Sequence, residues 1–84
     1  MNDKARKEIE KIRRGWEQYF SQWRTANGSL TWAAVGALQF LHWACSNPKQ
    51  AMKLRCSLGF WNLEPWEQAV LEDIKNALNP NKIN

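Results

Sequence analysis

Apolar residues return every three or four positions through most of this chain, so helices are the elements it predicts. Over residues 3–24, Ala5, Ile9, Ile12, Trp16, Tyr19 and Trp23 step by 4, 3, 4, 3 and 4, with Phe20 widening the stripe. Asp3 is the expected N-cap of this first helix. Gly15 interrupts it, at a cost of roughly 1 kcal/mol against alanine in a helix interior, and marks a bend or a close contact. Thr25-Ala26-Asn27-Gly28-Ser29 reads as a turn, Asn-Gly being a strong breaker, and Ser29 is the expected cap of the next helix.

The second helix, about 30–46, is nearly all apolar. At 100° per residue Thr31, Gln39, His42 and Ser46 share one stripe, expected to be the exposed edge of a mostly buried helix. Leu30, Ala33, Ala37, Phe40, Leu41 and Ala44 lie opposite as the expected core. Trp32, Gly36 and Trp43 fall on one shoulder, and Ala34, Leu38 and Cys45 on the other. Gly36, among small residues, is expected at a close approach between helices. Asn47-Pro48 ends this helix and opens a third over 48–58, with Ala51, Met52, Leu54 and Leu58 inward and Gly59 as its stop. Pro65 opens a fourth helix over 65–78, with Trp66, Ala69, Val70, Ile74, Ala77 and Leu78 on one side. Short connections favour antiparallel neighbours. The expected fold is all-α: a compact bundle of four short helices forming one domain over 1–84, with a frayed tail over 80–84.

Composition sharpens this in two ways. An 84-residue chain buries a small core, and six tryptophans, each able to bury ~150–250 Å², are one means of filling it. Six are more than four short helices easily enclose, so one or two are expected outside. Leu30 to Cys45, at 16 residues, falls short of the ~20 needed to cross a bilayer, so a buried helix is preferred over a membrane span.

The net charge of +4 is unevenly spread. Lys4, Lys7, Lys11 and Arg14 form one row along the first helix away from the aromatic stripe. Arg6, Arg13 and Arg24 add a second edge, with Asp3, Glu10 and Glu17 between them. Residues 25–60 hold Lys49, Lys53 and Arg55 and no acid, whereas Glu64, Glu67, Glu72 and Asp73 make the last segment acidic. Such asymmetry suits an acidic partner, nucleic acid included, or head-to-tail self-association, although a plain solvated surface accounts for it as well.

Chemistry-bearing residues are few. His42-x-x-Cys45, with Cys56 further along, lacks the close Cys-x-x-Cys pair and the fourth ligand of a zinc site, so a structural histidine and two buried thiols are expected. A Cys45–His42 pair at i,i+3 leaves little room for a substrate and an oxyanion hole, and no glycine-rich phosphate loop is present. No cofactor and no catalytic role are expected. Leu63-Glu64-Pro65-Trp66-Glu67 resembles the stretch before the membrane helix in small subunits of serine palmitoyltransferase, but the apolar span that should follow is absent, so no family is assigned.

These features lead to a small basic module that binds a protein, as adaptor, inhibitor or assembly subunit. The expected contacts are Lys4, Lys7, Lys11 and Arg14 together with Trp32, Trp43 and Trp61, since aromatic residues bordered by arginine are common interface anchors. A nucleic-acid-binding helical protein is the first alternative, and a membrane-associated one the second. Homo-oligomers fit as well. With no secretory signal read at the start and two cysteines taken as free, the expected compartment is the cytoplasm.

Overall fold

The computed structural model describes residues 3–79, so the tail expected to fray over 80–84 lies outside the described residues. The architecture is all-α: α1 (Asp3–Phe20), α2 (Trp32–Ser46), α3 (Pro48–Arg55), a short 3₁₀ helix (Leu58–Asn62) and α4 (Pro65–Leu78). Helix α4 packs against the other three α-helices, and α1 also packs on α2. Val70, Leu71, Ile74 and Ala77 of α4 are buried between them. Leu71, left off the expected apolar side, is fully enclosed because α4 has neighbours on more than one flank.

The aromatic stripe of α1 supplies one half of the core. Phe20 is fully buried, with the Trp66 ring 5.2 Å away and the Trp23 ring 5.1 Å away, both edge-to-face. Phe40 joins the cluster through Trp66, at 6.2 Å. Edge-on ring pairs of this kind add to the stabilisation from area alone. The other half is small: Ala34, Ala37, Ala44 and Ala51 are all fully buried. Short side chains let helix axes approach closely, and large rings fill the wider gaps.

Several boundaries differ from expectation for identifiable reasons. Helix α1 stops at Phe20 because the chain turns there into an isolated antiparallel bridge between Arg24 and Leu30, closed by the Thr31 N–H donating to the Trp23 carbonyl at 3.0 Å. Gly28, at φ 86°, supplies the left-handed turn residue. Ser29 is spent inside that turn, its carbonyl accepting from Thr25 N at 2.7 Å, so Thr31 caps α2 instead by accepting from Ala34 N at 3.1 Å. Asp3 already lies in the first turn of α1 rather than flanking it. Helix α3 ends at Arg55, and Gly59 sits within the 3₁₀ helix instead of stopping α3. Leu58, expected inward, is exposed at the start of that 3₁₀ helix.

Helix α2 is turned by roughly 40° from its expected orientation. Ala34, Ala37, Leu41 and Ala44 are buried, whereas Ala33 is exposed. The shoulder carrying Ala34, Leu38 and Cys45 has swung inward, and the shoulder carrying Trp32, Gly36 and Trp43 outward. Gly36 is therefore no close-approach position within the chain: a Cβ there would meet nothing within 4 Å. Gly15 likewise has open space above it.

Candidate functional site

Both halves of the expected surface are on the outside. On α1, Lys4, Lys7, Lys11 and Arg14 are all exposed, on the side opposite Ala5, Ile9, Ile12 and Trp16. Two of the four cations have partners. Lys11 Nζ lies 3.5 Å from Glu8 Oε1, and Arg14 Nε lies 3.6 Å from Glu10 Oε1. Lys4 and Lys7 have no ion-pair partner among the described residues. The second basic edge is not a free row. Arg13 is half-buried, held by Glu10 and by Glu17, whose Oε2 accepts from Nη1 at 3.1 Å. That pairing lowers the Glu10 pKa and raises that of Arg13. Arg24 is spent on the turn, donating to the carbonyls of Ser21 and Gly28.

The tryptophans divide evenly. Trp16, Trp23 and Trp66 pack against the core. Trp32, Trp61 and Trp43 remain 90%, 74% and 39% exposed, and Leu58 is 88% exposed. Leu58 and Trp61 are three apart on a 3₁₀ helix, where side chains three apart eclipse, so they share one side of it. This element is fixed from behind: Gln68 Nε2 donates to the carbonyls of Phe60, at 3.0 Å, and Leu63, at 3.2 Å. The Arg55 guanidinium stands 5.6 Å from the centre of the Phe60 ring and is itself tied to Glu72 through Nε at 2.8 Å. An apolar pair on so well anchored a turn loses little conformational freedom when a partner covers it. Trp43 is braced too, its ring 6.0 Å from that of Phe40.

His42 and the cysteines occupy different environments. His42 Nε2 lies 2.5 Å from Glu17 Oε2, a contact between α2 and α1 that extends the Glu10–Arg13–Glu17 chain. Cys45 is half-buried beside Arg13, Glu10 and Glu17, and desolvation pushes its pKa up to about 11. Cys56, expected to be buried, is exposed, because α3 ends one residue before it. No group of three or more His, Cys, Asp and Glu side chains among the described residues is arranged to hold a metal ion.

One feature that sequence reasoning missed is an open groove of about 610 Å³ between α1 and α4, with Ile12, Trp16, Tyr19 and Trp66 on its walls and Gly15 beside them. Its far wall is pinned by the Trp16 indole N–H donating to Asp73 Oδ2 at 2.8 Å. The pair is 57 positions apart in the chain, so no local spacing announces it.

Comparison with known proteins adds no identity: no family model matches this chain, and neither curated proteins nor solved structures give a match. What is defined is an all-α bundle with exposed aromatic side chains and, among the described residues, no helix long and apolar enough to cross a membrane.

Proposed function

We propose that this protein is a non-catalytic interaction module that docks a protein partner through its outward-facing aromatic residues. The observation that carries this reading is the set Trp32, Trp43, Trp61 and Leu58, left outside a core that Phe20, Leu41, Leu71, Ile74 and Val70 already fill. Tryptophan is the side chain most enriched among binding hot spots, and rigidly held rings bind at low entropic cost. Leu58 and Trp61 form the anchor for the partner, and the basic row of α1 assists encounter with an acidic surface. The reactive groups support a non-catalytic role, since His42 is engaged by Glu17 and the Cys45 thiol is held neutral by burial. The cytoplasm is the proposed compartment, supported by two cysteines that are free.

The deciding experiment is affinity capture from the native host with nuclease present, comparing the native chain with Trp61→Ala. The expected result is a nuclease-resistant protein partner whose affinity falls at least about thirty-fold in the variant. Capture that disappears with nuclease and ignores Trp61 sinks the reading in favour of nucleic-acid binding.

A further inference from the structure

Trp32, Gly36, Gln39 and Trp43 are all exposed and step along α2 by 4, 3 and 4. They lie opposite the buried set Ala34, Ala37, Leu41 and Ala44, and form a seam of the spacing that helix pairs use. The order of steps reads the same from either end. A two-fold axis level with the peptide between Ala37 and Leu38 therefore maps the seam onto itself when two copies of α2 run antiparallel. That axis places Trp32 against Trp43 of the second copy and Gly36 against its Gln39. At the edges, where an antiparallel two-fold brings like edges together, it sets Ala33 against Phe40 and Val35 against His42. Each of the last three pairs matches a smaller side chain with a larger one, as interdigitating helices require.

We infer that the exposed face of α2 is a self-complementary seam, covered in solution by α2 of a second copy of this chain in an antiparallel two-fold dimer. This rests on the reading of exposed tryptophans as docking anchors, and assigns the α2 pair to the second copy and the Leu58–Trp61 pair to the partner protein.

Three observations select a second copy over another occupant. Residues 25–48 contain no Asp, Glu, Lys or Arg, so on a chain of net charge +4 this face offers an acidic partner nothing to pair with and sets no charge of its own against a copy of itself. A two-fold contact demands one patch complementary to itself, which the step pattern and size pairing supply. Gly36 is an interior helix residue with nothing of its own chain within 4 Å. Glycine disfavours a helix, and the open backbone it leaves is where the Gln39 side chain of a second helix would seat. The area is sufficient as well. The exposed parts of four tryptophans bring on the order of 500 Å², about half of the ~1,000 Å² a specific interface requires, before Ala33, Val35, Gly36, Gln39 and Phe40 are included.

The test is sedimentation equilibrium on the full chain over a wide concentration range, with circular dichroism on every variant. The native chain is expected to approach twice its 9.8 kDa mass. Trp32→Ala should weaken the dimer at least about thirty-fold. Gly36→Lys should abolish it while leaving helicity intact, because lysine is a good helix former and the site is open within one chain. A mass of one chain at every concentration overturns the inference, as does a dimer indifferent to both variants. A monomer that still captures a partner through Trp61 would overturn the second copy alone, whereas a monomer with no tryptophan-dependent partner would remove the docking reading with it.

Discussion

The Cys45 thiol lies where α1 and α2 meet, near Arg13, Glu10 and Glu17, and burial raises its pKa from 9.0 to about 11. The folded chain thus favours the neutral thiol. The stability this supplies is fully present below pH 9 and is lost as pH rises towards 11, because there the unfolded chain releases the proton first. Urea denaturation of the native chain and of Cys45→Ala should show a stability difference that shrinks over this window. A difference constant through pH 11 would mean that the thiol is not desolvated. A disulfide-exchange reagent at neutral pH should label Cys56 well before Cys45, since one is exposed and the other shielded. His42, adjacent to Cys45 on a helical projection, turns its imidazole across to Glu17 on α1.

Each helix owes its existence to periodicity and its ends to local hydrogen bonding. Thr31 is the clearest case, since its side chain accepts from Ala34 N at 3.1 Å and so satisfies a donor that the first turn of α2 leaves open. Thr31→Ala should cost about 1 kcal/mol in urea denaturation, and Ser29→Ala should cost less at this cap because Ser29 takes no part in it. Equal losses would restore Ser29 as the cap. The four helices were legible because their apolar steps run through whole segments, and Pro48 and Pro65 were legible starts because proline suits a first turn. The ends were not. Serine and threonine two residues apart are equally good caps in sequence, and only the Thr25–Ser29 hydrogen bonds of the turn decide between them. The capping box at α4 was readable in principle: Glu64 and Glu67 are three apart, and Glu67 Oε1 accepts from Glu64 N at 2.9 Å. The rotation of α2 was beyond periodicity, because alanine and tryptophan both count as apolar. Close packing selects alanine for the inside and sends Trp32 and Trp43 outward.

At the scale of the whole molecule, the placement of charge sets what the docking reading and its nucleic-acid rival each predict. The apolar interior has no buried charged or polar residue among the described ones, so the ion pairs lie outside it and the cations on α1 are free to act on partners only where no acid already holds them. Four row residues contacting phosphate on duplex DNA would give a log–log salt slope of about 3.6, at about 0.9 per contact. Lys11 and Arg14 already face Glu8 and Glu10, which leaves Lys4 and Lys7 as the members of that row without an ion-pair partner among the described residues. The slope for a duplex oligonucleotide should therefore stay near about 2 or below, with weak binding that ignores sequence. Reversing Lys4 and Lys7 to glutamate should remove that binding. The same reversal should leave the Trp61-dependent partner bound, slowing its association several-fold at low salt, because a charge distant from the anchor steers encounter more than it holds the complex. Submicromolar duplex binding with a slope of 3.6 or steeper would show that the glutamates yield to phosphate, and would make the basic row, not the tryptophans, the working surface.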